Sequence, residues 1–304
     1  MILKLINRRQ RWLNLHRLIL PVAMALLLLA SACGSSQSNT TTDADRLTVV
    51  TTTTLLADLV KNVGSDLVEV TALVPPGADV HSFQSTPADN VAVGRAALLV
   101  SNGGGLDQFL DQVIQSASSD DAVHILAAES LLELDDDDPH FWQNPVFTVQ
   151  YAEGIRDGLI AADPDNAADY RSNFQEYKDR LTELDFDIAN TLDTIQTDRR
   201  HLITFHDAFG HFAERYGWQV TSLVGSDASQ VSPGPMVEIL DRVREQGIPA
   251  VFAEPQFSSG LLEKAAEEAG VEVGPIYSDV QDGDVASYID MMLFNAKSLA
   301  RLLR

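Results

Sequence analysis

Residues 163–198 read DPDNAADYRSNFQEYKDRLTELDFDIANTLDTIQTD, and this stretch decides the architecture. Tyr170, Phe174, Tyr177, Leu181, Leu184, Ile188, Leu192 and Ile195 recur at spacings of three and four, one sustained apolar stripe along a helix. Asp163 and Pro164 supply the start, a capping carboxylate followed by proline at the first helical position. No proline or glycine interrupts the run that follows, so a helix over 164–198 would extend roughly 50 Å. One such segment with no partner repeat reads as a spine between two halves rather than as a coiled coil, and its aromatic residues read as core.

On either side of the spine, strand-like apolar runs alternate with helical stretches. Before it, LTVVTTT (47–53), LVEVTALV (67–74), AALLVSNGG (96–104) and AVHILAA (122–128) read as strands, and LLADLVKNVG (55–64) as a helix. After it, strands are expected at HLITFH (201–206), WQVTSLV (218–224), PAVFAEP (249–255) and VEVGPIYS (271–278). Helices are expected at DAFGHFAERYG (207–217), PMVEILDRVREQG (235–247), SGLLEKAAEEAG (259–270) and from Ser287 to the end. This alternation predicts an α/β fold of two lobes with mostly parallel sheets, joined by one long spine helix. The expected divisions are 47–162 for the first lobe, 163–199 for the helix and 200–304 for the second lobe. Ligands of open α/β sheets bind beyond the carboxyl ends of the strands, so the cleft between the lobes is the expected site.

The N-terminus stands apart. Lys4, Arg8, Arg9, Arg11 and Arg17 precede an apolar run from Leu18 to Ala30, too short to span a bilayer and of the right length for a signal sequence. Leu29-Ala30-Ser31-Ala32-Cys33 resembles a bacterial lipoprotein box, departing from it at Ala30; this implies cleavage after 32 and lipidation of Cys33. Residues 33–46 then form a flexible tether, and the expected location is outside the cell membrane, lipid-anchored, facing the periplasm or the cell exterior. Loss of residues 1–32 leaves 16 basic and 44 acidic residues, a net charge of −28. So acidic a chain lacks the basic surface a nucleic-acid binder needs. One cysteine excludes a disulfide framework, a cysteine-based zinc finger and an iron–sulfur cluster.

His81, His140 and His206 each lie in a loop after a strand, and Asp279 closes another. They are separated by 59, 66 and 73 residues, so there is no local metal motif. Three imidazoles and a carboxylate would suit a borderline divalent cation if the fold brought them together. On spacing alone, ordinary capping or loop roles account for each histidine at least as well.

Taken together, PPGADVHSFQSTPAD (75–89), DPHFWQNP (138–145), FHDAFGHFAERYGW (205–218), VFAEPQFSS (251–259) and VGPIYSD (273–279) resemble the metal-specific substrate-binding lipoproteins of bacterial ABC importers, the ZnuA-like zinc/manganese family. The resemblance runs from about residue 47 to the end and implies a capture-and-delivery protein, not an enzyme. It also implies a permease and its ATPase subunit as partners, and metal ligands at His81, His140, His206 and Asp279. Glu254, at a strand's carboxyl end, is a reserve ligand or an acceptor behind the ligands. Manganese members tend to carry Glu where this chain has His206, so Zn²⁺ is the expected cargo, with Mn²⁺ or Fe²⁺ as the alternative.

The chain also departs from the family's pattern. Asn144 replaces an expected Asp and is expected to alter a hydrogen bond near the site. Asp135 to Asp138 stand in place of a His-rich loop and read as a solvated run, with gathering of cations as the alternative. His211, where an aromatic residue is usual, reads as a non-ligand, as do His124 and His201. The competing readings are a secreted metallohydrolase, for which neither HExxH nor GxSxG is present, and a surface adhesin.

Overall fold

The computed structural model describes residues 46–134, 138–223, 243–245, 247–257, 260–281 and 283–304. The leader, Cys33, the tether through residue 45, Asp135 to Asp137 and most of the helix expected at 235–247 lie outside the described residues.

Two four-stranded parallel sheets organise the chain. The first comprises β1 (Leu47–Thr51), β2 (Val68–Ala72), β3 (Leu98–Ser101) and β4 (Val123–Leu126), in the order β2-β1-β3-β4. The second comprises β5 (His201–Thr204), β6 (Gln219–Ser222), β7 (Ala250–Ala253) and β8 (Glu272–Pro275), in the equivalent order β6-β5-β7-β8. β3 is buried along its whole length, as its continuous run Leu98-Leu99-Val100 requires of a strand covered on both faces. In each sheet the chain reverses direction across the strand order between the two central strands, and a crevice opens there at the carboxyl ends.

The helices are α1 (Thr54–Gly64), α2 (Pro87–Val93), α3 (Asp111–Ala117), α4 (Pro145–Ala162), α5 (Ala167–Leu192), α6 (Gly210–Tyr216), α7 (Gly260–Ala269) and α8 (Tyr288–Leu302). Local chemistry sets their starts. Thr53 accepts from Leu56 N to cap α1, and Thr86 and Asp89 form a reciprocal capping box ahead of Pro87 on α2. α5 is the spine. Tyr170, Phe174, Tyr177, Leu181, Leu184, Ile188 and Leu192 are all buried on it.

The spine differs from expectation in length. It is an α-helix of 26 residues, about 39 Å, after a single 3-10 turn at Pro164–Asn166. Asp163 does not cap it; its carboxylate accepts from Asn166 Nδ2 and Tyr170 OH, both at 2.7 Å. Asp163 instead ends α4, an 18-residue helix absent from the sequence reading. α6 likewise begins at Gly210, three residues later than expected, so His206 lies ahead of the helix.

One apolar core runs through both halves. Val49 and Leu98 of the first sheet, Leu202 and Phe252 of the second, and the spine stripe from Tyr170 to Ile195 belong to it together. A shared apolar core of this kind opposes wide separation of the lobes. Leu181, fully buried on the spine, tests its importance. Leu181→Ala is expected to lower the stability of the metal-free protein by about 2–5 kcal/mol in urea unfolding. Phe186→Ala, on the same helix but 66% exposed, is expected to stay within about 0.5 kcal/mol of the parent. Equal effects at the two positions would remove the spine from the core.

Candidate metal centre

Three histidines, remote in sequence, meet where the two lobes face each other. His81 sits in a one-turn 3-10 helix, Val80–Ser82, that Asp79 caps by accepting from His81 N at 3.0 Å. His140 follows Pro139, whose carbonyl accepts from Asn102 Nδ2 at 3.0 Å, Asn102 lying just beyond the end of β3. His206 lies two residues past β5. Its neighbour across the sheet is set by register: Thr204 pairs with Phe252, which brings His206 level with Glu254 beyond β7.

The rings pack edge to face, with centroids 5.5 Å apart for His81 and His140, 5.4 Å for His140 and His206, and 5.9 Å for His81 and His206. Among the described residues, one donor atom from each of the three lies within 4.8 Å of the others. Two nitrogens bound tetrahedrally to one zinc ion stand about 3.4 Å apart, so a small inward movement would complete such a set. The cavity between them is about 20 Å³, enough for one small ion or a water. A far larger cavity, about 570 Å³, lies between β4 and α4 and contains carboxylates but no histidine. Chemistry, not size, therefore picks the site.

Two carboxylates stand behind the imidazoles. Asp138 Oδ1 accepts from His140 Nδ1 at 2.6 Å, and Glu254 accepts from His206 Nδ1 at 2.7–2.8 Å. Each bond fixes a tautomer and leaves Nε2 as the free donor to a cation. His140 Nε2 is buried with no hydrogen-bond partner. Burial pushes the His140 imidazole below its usual range, against the pull of Asp138, which favours the neutral form a metal needs. Asp138 is raised by burial, but its hydrogen bonds and the charge of His140 outweigh this and hold it below the usual carboxylate range.

Glu254 is fully buried, and its oxygens are engaged by His206, by Ser278 Oγ at 2.5 Å and by Gln256 Nε2 at 3.3 Å. It therefore stands behind His206 rather than among the donors. Removing a charged partner of this kind usually weakens metal binding 10- to 100-fold. Glu254→Gln is expected to fall in that range in a competition titration. Asp138→Asn is expected to cost less, because Asp138 keeps 22% of its side chain in solvent. Unchanged affinity in Glu254→Gln would show that the tautomer of His206 does not depend on it.

Asp279 lines the same cavity but lies outside the 4.8 Å set of the three histidines. Its Oδ1 accepts from Val280 N at 2.7 Å, Leu55 N at 3.1 Å and Thr54 Oγ1 at 3.3 Å. Burial dominates these bonds and pushes the carboxyl up to about 6.

At Asp138 the expectation of a solvated run is corrected, since its carboxylate turns inward onto His140; Asp135 to Asp137 lie outside the described residues. Asn144 caps α4, accepting from Val146 N at 3.0 Å, and does not bond to the histidines. His124 bonds Ser101 and His201 bonds Thr221, both within the sheets.

Residues 49–302 match the family model for the periplasmic zinc-uptake complex component A, ZnuA. The chain is 31% identical over 282 residues to the manganese-binding lipoprotein MntA of Halalkalibacterium halodurans, covering 90% of this chain and 94% of that one. It is 29% identical over 269 residues to the iron-binding protein YfeA of Yersinia pestis, covering 85% and 86%. Among solved structures, the periplasmic zinc-binding protein TroA from Treponema pallidum superposes with a TM-score of 0.79 at 26% identity, over 85% of this chain and 99% of that one. A match spanning both sheets and all three histidines leaves one conclusion: the chain belongs to the ZnuA family of metal ABC transporter substrate-binding proteins, non-enzymatic carriers of a divalent metal ion.

Proposed function

We propose that this protein captures Zn²⁺ outside the cell membrane with His81, His140, His206 and Asp279, and delivers it to a permease driven by an ATPase subunit. The observation that carries the reading is the buried Nε2 of His140, with no hydrogen-bond partner, facing two further imidazoles across an ion-sized space. Three nitrogens and one oxygen favour a borderline cation over a hard one. Manganese or ferrous iron is the second reading, favoured by the oxygen donor of Asp279 and by the manganese and iron in the names of MntA and YfeA. We further assign residues 1–32 to a cleaved signal, Cys33 to lipid anchoring, 47–162 and 200–304 to two lobes and 163–199 to their connection.

Capture requires neutral imidazoles and an ionised Asp279, so affinity falls as the pH drops. The core shared by both lobes points to release through a shift of the ligand loops rather than a wide hinge opening. A large hinge closure between metal-free and loaded forms would count against this.

Because zinc outcompetes manganese at most nitrogen and oxygen sites, affinity alone does not name the cargo. The deciding experiment compares uptake of radiolabelled zinc and manganese by cells with and without the protein. Zinc uptake that depends on the protein is expected; dependence of manganese uptake alone would keep the carrier and change its cargo.

A further inference from the structure

We propose that His211, which does not reach the cation site, is a positioning residue that sets how long the ion is held, by gripping the segment that carries His140. The inference rests on the reading of His140 as a ligand. Residues 138–140 are held from both lobes. On the first-lobe side, Asn102 Nδ2 donates to Pro139 O, and Asn102 is itself fixed by Tyr151 OH, which donates to its Oδ1 at 2.9 Å. On the second-lobe side, His211 Nε2 lies 2.9 Å from Asp138 O. A carbonyl can only accept, so His211 carries its proton on Nε2.

The His211 ring is buried, stacked on Phe141 at 4.5 Å and 22°, and meets the edge of Phe147 at 5.7 Å. Phe141 directly follows His140. The preceding residue of α6 is fitted to the same contact. A side chain at Gly210 would bring its Cβ to 2.7 Å from Asp138 Oδ2 and so push on the carboxylate that holds His140 Nδ1. Two consecutive residues of the second lobe thus lie against Asp138, whose carboxylate bonds His140 Nδ1 and whose carbonyl accepts from His211. A donor that fixes one member of such a chain constrains the metal ligand at its end.

The test separates the hydrogen bond from the packing. His211→Phe keeps a flat ring for Phe141 and loses the donor; His211→Gln restores an N–H donor without the ring. Zinc dissociation is followed by chelator competition, with the thermal midpoint of the metal-free protein as the control for folding. In His211→Phe the ion is expected to leave about tenfold faster, and in His211→Gln at close to the parent rate. A parent rate in His211→Phe, or equally fast loss in both variants, overturns the proposal. If His211→Phe does not fold, ring-nitrogen NMR of the unaltered protein decides. A His211 proton on Nε2, with resonances that move on zinc loading, is expected; a proton on Nδ1, or resonances that do not move, overturns it. Failure of the unaltered protein to bind zinc, manganese or iron would instead remove the carrier reading itself.

Discussion

Replacing His206 with alanine is expected to weaken zinc binding by about 10²- to 10³-fold. Four-ligand zinc sites are worth roughly 10–16 kcal/mol at neutral pH, about 2.5–4 kcal/mol for each donor. The variant also strips Glu254 of its imidazole partner while leaving the carboxylate fully buried, held by Ser278, Gln256 and the backbone N–H of residue 206. Loss of a partner to a buried group costs about 1–3 kcal/mol, so the metal-free variant is expected to unfold more readily as well. His206→Ala combined with Glu254→Gln separates the two effects. The double variant is expected to recover stability in urea unfolding and none of the affinity. Isothermal titration of both proteins checks this. Zinc affinity within tenfold of the parent in His206→Ala would remove His206 from the ligand set, whatever happened to stability.

How much of this was legible beforehand follows from which groups carry local signals. The spine was readable because seven buried residues of one helix repeat at helical spacing with no break. α4 was not, although it is equally buried, because Thr148, Ala152 and Gly158 share its inner face and blur the apolar stripe. The proline at 164 then read as a beginning when it also follows an ending. The three histidines each sit in a recognisable motif, but their convergence depends on strand order, which no short stretch encodes. Glu254 is a clear case. It meets His206, 48 positions away in sequence, only because β5 and β7 are neighbours in register. Asp138 is one of four identical residues in sequence, and nothing in the run marks it as the partner of His140. The chain's two most informative departures, His211 and Asp138, touch each other in the fold, and that relation is invisible in either motif alone.

Asp279→Asn is expected to lose zinc affinity about 10²- to 10³-fold and yet to stabilise the metal-free protein. Burial holds this carboxyl near 6, against an ordinary 3.8, so the folded protein keeps its proton to higher pH than the unfolded chain does. The sign follows from that difference. The stability linked to the protonated group is full below about pH 4 and is lost as pH rises through about 6. At about pH 7.5 the ionised carboxylate therefore costs the metal-free fold about 3 kcal/mol. Asparagine carries no charge and can keep its Oδ1 as acceptor for Leu55 N, Thr54 Oγ1 and Val280 N, so the bonds that place the side chain survive. Urea unfolding in the presence of a chelator should show the variant ahead by up to about 3 kcal/mol at about pH 7.5 and level with the parent at about pH 4. Zinc reverses the order, because an ion repays the carboxylate's burial in the parent and not in the variant. The same proton competes with the ion, so the parent's affinity should fall on acidification through about 6 more steeply than the variant's. A variant no more stable than the parent at neutral pH would mean that Asp279 is well solvated without metal. A variant with undiminished zinc affinity would mean that the three histidines hold the ion without it.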